Sequence, residues 1–435
     1  MSALLPAGWA WATLGEVSRK PQYGWTTKAN ADGRGVRLLR TTDITSGTID
    51  WSRVPACTTE PDDMAKYLLA ADDIVVSRAG SVGASIRIKS PPPPSVFASY
   101  LIRLRPVGIE PAYMGWFLQS ERYWRQIRDA AAGIALLNVN AKKLSAISMP
   151  VPPLNEQRRI VAAIEEHLSR LDAADASLVT AERRTRLFRD SVLEEALTNG
   201  APRAAIGTIA SLTDGPFGSN LKTSHYVAEG PRVVRLQNIG DGVFHDERAH
   251  ITREHFLALV KHSVVSGDVI VASLGDEAPR ACLVPEWLGD AIVKADCIRL
   301  RPDDGVDASY VMWALNSRPV KAQAATRIKG IGRPRLGLGG IRELEIPLPP
   351  LEDQRRIVAE VEEQLSVIDA MRASIERVQR RSRALRAAIL ERAFRGELVP
   401  QDPADEPAEA LLARIRAGRE ERAPACGARR RSRAS

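Results

Sequence analysis

A chain of 435 residues, 44% of them hydrophobic, is long enough for two or three domains with separate cores. No apolar run is long enough to span a bilayer, and the opening MSALLPAGWAWATLGE lacks the basic leader and long apolar core of a signal peptide. Cys57, Cys282, Cys297 and Cys426 are scattered without CxxC spacing, as expected of reduced thiols in a cytoplasmic protein. The formal net charge of +8 fits a polyanionic partner, and residues 1–150 hold much of the excess, with 18 Lys and Arg against 12 Asp and Glu.

In chain order the first elements are short. Residues 36–40 and 74–77 read as buried strands, the second entered through a polar turn at Asp73, and residues 113–120 have helical spacing. Pro150, Pro152 and Pro153 hold an extended segment, since proline cannot sit inside a helix. Asn155 can cap a helix that runs to residue 198 without Pro or Gly, with Val161, Ile164, Leu168, Leu171 and Leu178 at 3-4 spacing. The series then recurs. Strands are expected at 233–236 and at 269–272 behind Asp268, then a helix at 310–317 and a block at Pro347, Pro349 and Pro350. Glu352 and Asp353 open a second long helix to residue 395, striped by Val358, Val361, Leu365, Ile368, Ile375, Val378, Leu385 and Ile389. Each helix, about 40 residues at 1.5 Å rise, makes a rod of roughly 60 Å. A stripe this narrow is a seam that needs a partner helix, and the other copy supplies it, antiparallel.

The recurrence is close. Residues 149–173, MPVPPLNEQRRIVAAIEEHLSRLDA, return as 346–370, IPLPPLEDQRRIVAEVEEQLSVIDA. Gly24 and Lys28 align with Gly218 and Lys222, Arg40 with Arg235, and Arg103-Leu104-Arg105-Pro106 with Arg299-Leu300-Arg301-Pro302. A period this long is a duplicated domain-plus-helix unit rather than a solenoid. The expected fold is α+β: two tandem mixed α/β domains and two long helices forming an antiparallel coiled coil, with pseudo-two-fold symmetry. The expected divisions are a domain at 1–150, a helix at 151–199, a domain at 200–347, a helix at 348–397 and a tail at 398–435, partly helical and then disordered.

The doubled block, with Gln157-Arg158-Arg159-Ile160 and Gln354-Arg355-Arg356-Ile357 each heading a long helix, resembles the specificity subunit of type I restriction–modification systems. The opening Leu5-Pro6 with Gly8-Trp9, and the closing run Gly396-Glu397-Leu398-Val399-Pro400-Gln401-Asp402-Pro403, carry the resemblance across the chain. It implies two target-recognition domains, each reading one half of a bipartite site on double-stranded DNA. It also implies that the helices space the half-sites and dock two methyltransferase subunits, which restriction (motor and nuclease) subunits join. S-adenosylmethionine, ATP and magnesium would sit on those partners, with no cofactor on this chain. The ending APACGARRRSRAS departs from the family pattern and reads as a basic tail.

Catalytic signals are missing from the sequence. There is no GxxxxGK[ST] phosphate loop, and the Gly-rich stretch 330–340 lacks its lysine–serine pair. No Asn-Pro-Pro-aromatic motif of amino-methyltransferases is present. His245, His250 and His255 are five apart, which suits no single helix face for a metal, and Asp62-Asp63 with Lys66 lacks the strand context of a nuclease. The expectation is a non-catalytic subunit. Two alternatives stand beside it: a self-sufficient DNA enzyme, disfavoured by the missing motifs, and a coiled-coil adaptor, disfavoured by the basic duplicated domains.

Base reading calls for Arg, Lys, Asn or Gln at a groove with phosphate contacts beside it. Four regions qualify in both copies. Lys28, after Trp25-Thr26-Thr27, pairs with Lys222 after Ser219 and Asn220; Arg40 and Thr42 pair with Arg235, Gln237 and Asn238. Arg78 pairs with Ser273 and nearby Arg280. Asn138, Asn140, Lys142 and Lys143 pair with Arg327, Lys329, Arg333 and Arg335. Of Arg103 and Arg105, and of Arg299 and Arg301, one each is expected to be structural.

Overall fold

The computed structural model describes residues 5–31, 33–131, 138–198, 200–275, 278–330, 332 and 334–422. It divides into two compact units that do not follow chain order: residues 1–177 with 378–435, and residues 178–377. Each unit therefore owns one globular domain, half of the first long helix (Leu154–Ala196) and half of the second (Leu351–Ala393).

Unit 1 holds β1 (Ala10–Thr13), β2 (Gln22–Tyr23), β3 (Ala29–Asn30), β4 (Arg37–Leu39), β5 (Ala56–Cys57), β6 (Ile74–Ser77), β7 (Ser85–Arg87), β8 (Ser95–Phe97), β9 (Leu101–Leu104) and β10 (Ser148–Val151). They form an antiparallel sheet β2-β9-β6-β7, a mixed sheet β3-β5-β4-β8 in which β4 and β8 are parallel, and the pair β1-β10. Unit 2 holds β11 (Arg203–Ala205), β12 (Ala210–Asp214), β13 (Tyr226–Val234), β14 (His250–Ile251), β15 (Ser263–Val264), β16 (Val269–Ala272), β17 (Arg280–Leu283), β18 (Ala291–Val293), β19 (Cys297–Pro302) and β20 (Glu345–Pro347). Its sheets are β12-β19-β16-β17, β14-β13-β18-β15 with β13 parallel to β18, and β11-β20. β13 is one bulged strand where unit 1 has two, β3 and β4.

β6 and β16 are apolar runs buried along their whole length, as central strands covered on both faces must be. The acid before each is structural. Buried Asp73 accepts from the Ala70 amide at 3.0 Å and from Arg105 Nε at 2.8 Å, and Asp268 accepts from the Val265 amide and from Arg301 at 2.7 Å. Arg103 donates to the carbonyls of Leu68 and Lys66, and Arg299 to that of Ser263. Arg103 and Arg299 are thus the structural members of each pair, while Arg105 and Arg301 clamp the acid from a more exposed position.

The repeated Gln has a clear role. Buried Gln157 donates to the Pro152 carbonyl and accepts from the Glu110 amide, each at 2.9 Å; Gln354 does the same with Pro349 and Asp307 at 2.8 Å. The amide bolts the helix start to the proline segment and to the N-cap of a helix within the domain, Pro111–Phe117 or Ala308–Asn316. Tyr113 and Tyr310 complete the joint by donating to the carbonyls of Pro150 and Pro347, both at 2.9 Å.

Within each unit the helix halves run antiparallel. In unit 1 Arg386 reaches across to Asp172 at 2.6 Å and Asp175 at 2.8 Å. The seam differs from the 3-4 expectation. Val161, Ile164 and Leu168 share one core with Tyr113, Ile389 and Phe394, and Val361, Leu365 and Ile368 share another with Tyr310 and Leu193. Val378 and Leu385 are exposed instead, and the buried seam passes through the repeat-related Thr185 and Ser382. The domains pull the apolar helix ends into their cores, so the stripe does not continue along the whole rod.

A helix over Ala408–Arg422 folds back on unit 1, burying Leu411, Leu412 and Ile415 in the core that holds Trp9 and Ile109. Asp405 accepts from Arg159 at 2.7 Å, and the Ala408 amide donates to the Gly8 carbonyl at 2.8 Å. The basic run 423–435 lies outside the described residues. Among the described residues no helix is long and apolar enough to cross a membrane.

A candidate nucleic-acid interface on each unit

Parallel strands end on the same edge of a sheet, so whatever follows them meets there. In unit 1, Arg40 follows β4 and Ala98 follows the parallel β8; in unit 2, Arg235 follows β13 and Lys294 follows β18. A tight loop lies over each edge. A Cβ on Gly24 would stand 2.2 Å from the carbonyl oxygens of Phe97 and Ala98, and one on Gly215 would stand 2.2 Å from the Lys294 carbonyl. Only glycine permits that approach. Strand register gives the same equivalence, with Tyr23 opposite Ile102 and Asp214 opposite Ile298.

This corrects the sequence alignment. Gly24 matches Gly215, not Gly218. Ala29 and Tyr226 occupy equivalent ladder positions, so Lys28 matches His225 and Lys222 lies in an insertion of unit 2. The physical reason is that loop length is free while the strand ladder is not. Both lysines are exposed beside the rim.

In unit 2 the rim is a cleft of about 520 Å³ lined by Phe217, Arg235, Gln237, Lys294, Asp296 and Arg335, among others. Arg335 lies 4.7 Å over the Phe217 ring, 3.2 Å from Asp214 and 3.0 Å from Asp296. Burial pushes the Asp214 carboxyl above its ordinary range, an effect that Arg335 opposes. Arg235 heads a short turn in which its amide donates to Asn238 Oδ1 at 2.8 Å. In unit 1 the Arg40 amide donates to Asp43 Oδ2 at 2.8 Å in the same turn, and the Arg40 guanidinium pairs with that carboxylate, which raises its pKa. Arg78 lies 4.8 Å over the Tyr23 ring, with Nε donating to Asn138 Oδ1 at 3.5 Å. The Tyr23 hydroxyl is fixed in turn by the Ala141 amide at 2.9 Å.

The structure brings Arg235, Gln237 and Arg335 onto one cleft, and Arg78 with Asn138 onto the matching edge. Thr42 and Lys142 are exposed, and Asn140 caps the helix Ala141–Ser145 by accepting from the Lys143 amide. Asn238 is a correction: it is buried, and its amide donates to the carbonyls of His245 and Glu247, both at 2.8 Å, so it holds the turn rather than a base. Arg280 is half-buried at the first position of β17, opposite Ala272, on a different strand from the Ser273 position that matches Arg78. Lys329 is exposed and bridges Arg335 through backbone hydrogen bonds. Arg333 lies outside the described residues. Lys294, Phe217 and Tyr23 escaped the sequence reading, because a residue following an unpaired-looking apolar run gives no sign that its strand is parallel to another. Asp63 is a helix cap accepting from the Lys66 amide, and the His255 ring packs tilted against that of His225, centroids 4.5 Å apart. Among the described residues no group of three or more His, Cys, Asp or Glu could hold a metal.

Two units with one framework and different polar rims define a tandem recognition protein. Residues 6–178 match the family described as the type I restriction modification DNA specificity domain. The chain is 26% identical to the type I restriction enzyme StySPI specificity subunit of Salmonella potsdam, over 95% of this chain and 96% of that one. It is 23% identical to the EcoBI specificity subunit of Escherichia coli, over 88% and 86%. A chain from a solved structure concerned with complex assembly and conformational transition of the type I restriction–modification system superposes with a TM-score of 0.70 at 20% identity, covering 91% of this chain and 99% of that one. Residues 6–178 thus match that family's domain, and over most of its length the chain is similar to type I restriction–modification specificity subunits.

Proposed function

We propose that each unit reads one half of a bipartite duplex DNA site and that the paired helices fix the distance between the halves. Methyltransferase subunits dock beside the helices and restriction subunits join them. Those partners carry S-adenosylmethionine, ATP and magnesium, and this chain supplies sequence choice without chemistry of its own, in the cytoplasm. The observation that carries the reading is the pair of matched rims. Arg40 and Arg235 stand at one ladder position in both units, whereas Thr42 and Gln237, Ala98 and Lys294, and Asn138 and Arg335 differ at theirs. A shared framework with different rim chemistry suits two domains that face different base sequences. The test is methyl transfer to a random DNA library with S-adenosylmethionine. The purified chain alone is expected to transfer nothing, and with its methyltransferase partner to direct methylation to one bipartite sequence. Methylation by the chain alone would overturn the reading.

A further inference from the structure

The two rims carry one arginine in common and one that changes its origin. Backbone hydrogen bonds fix the correspondence. The Arg78 amide donates to the Tyr100 carbonyl as the Ser273 amide donates to that of Asp296, both at 2.9 Å. The Val139 amide donates to the Arg78 carbonyl as the Leu336 amide donates to that of Ser273. Position 78 therefore matches 273, and 138 matches 335. In unit 1 the second guanidinium comes from the end of β6, over a tyrosine ring and against an asparagine. In unit 2 it comes from the opposite side of the same gap, over a phenylalanine ring and against two carboxylates.

Both are oriented before any ligand arrives. An aromatic face beneath a guanidinium and an oxygen at its Nε fix its plane, so less side-chain freedom is lost on binding. The Asp214 and Asp296 contacts use one edge of Arg335, and Nη1 lies outside them. A planar fork held this way matches one base edge in duplex DNA best, the O6 and N7 acceptors of guanine in the major groove. Arg40 and Arg235 cannot encode a difference between half-sites, because they are the same residue in the same turn.

We propose that Arg78 in unit 1 and Arg335 in unit 2 are the specificity-determining residues, each reading a guanine of its own half-site, while Arg40 and Arg235 contact backbone phosphates. Tyr23 and Asn138, and Phe217 with Asp214 and Asp296, are positioning residues. This rests on the bipartite reading above.

The experiment uses the complex of this chain with its methyltransferase partner on a library of duplexes randomised at each position of the methylated site. The wild type must first show a bipartite site; if it methylates without sequence choice, the bipartite reading itself fails and the rim assignments fall with it. Given that site, Arg335→Lys keeps the charge but loses the fork, and is expected to reduce discrimination at one G·C pair of one half-site by about 10- to 100-fold. The other half-site should be unaffected. Arg78→Lys should do the same to the other half-site only, and it carries the test if Arg335→Lys fails to fold. Phe217→Leu should weaken the same pair as Arg335→Lys, and Phe217→Tyr should restore it. Arg235→Ala should instead lower affinity for all sequences alike and reduce the salt slope by about one phosphate contact. A half-site without a G·C pair, or unchanged base preference in both lysine variants with the wild-type site intact, would refute the assignment.

Discussion

Single buried polar side chains hold the parts of each unit in register. Gln354 is one: truncating Gln354→Ala leaves the Asp307 amide and the Pro349 carbonyl without their partner at the junction of domain and helix. The expected loss for unit 2 is about 2–4 kcal/mol, read from hydrogen exchange of its own amides, and Gln157→Ala should do the same to unit 1. His262 links stability to pH. Burial lowers its pKa below the ordinary 6.5, and it donates from Nδ1 to the Asp214 carbonyl at 2.6 Å. The folded state therefore prefers the neutral ring. Its contribution is intact above pH 6.5 and is lost as pH falls from 6.5 through the lowered value, because the unfolded chain takes up the proton first. Hydrogen exchange in unit 2 should accelerate over that window in the wild type and not in His262→Asn, which keeps a donor without titrating. Equal acceleration in both would show that another group is responsible.

Among the elements, the helix Ala408–Arg422 has the most consequence for its size. It covers apolar surface of unit 1 with Leu411, Leu412 and Ile415, and Arg416 pairs with Glu16 at 3.0 Å. Ending the chain after Pro407 should cost unit 1 about 5 kcal/mol, an upper value from the burial of three large side chains. Unit 2 should melt as before. An unchanged unit 1 transition would mean that the helix contributes little to its core. The exposed rim lysines act differently, since they bury nothing. Charge reversal as Lys28→Glu with Lys222→Glu should weaken DNA binding and flatten its salt dependence while leaving assembly with the methyltransferase intact.

For the molecule as a whole, the Arg386 contacts with Asp172 and Asp175 set the helix register. Residues 172–178 of the first helix face roughly 380–386 of the second. A ruler test should therefore delete these facing heptads together, since 172–178 with 369–375 would leave mismatched segments in the middle. The facing deletion should shorten the rod by about 10 Å at 1.5 Å per residue and change target spacing without changing half-site identity. Methylation at the original spacing would end the ruler idea. Replacing residues 201–345 by the matching domain of a related chain should change one half-site only, as the duplicated frameworks have separate cores.

The sequence alone determined the duplication, the two long helices and the absence of a recognisable catalytic motif, because proline, periodicity and near-identical text are local signals. The buried runs at β6 and β16, and the acids before them, were legible for the same reason. The site was only partly legible. Arg235 and Gln237 were within reach because polar residues after an apolar strand stand out, and Arg335 because it sits in a basic stretch with Arg327 and Lys329. Asn238 looked equally suitable, yet the tertiary structure gives both of its amide hydrogens to carbonyls of the following loop. Lys294, Phe217 and Tyr23 became visible only once parallel pairing had brought the end of β18 beside β13, and strand register had placed Gly24 opposite Gly215 rather than Gly218. The seam followed the same rule. Val378 and Leu385 fit a helical period, but a period does not say which face a neighbouring domain will bury, and the structure buries Ser382 instead. Pairing between distant strands and competition for helix faces are long-range facts, set by packing of the whole unit and written at no single position of the chain.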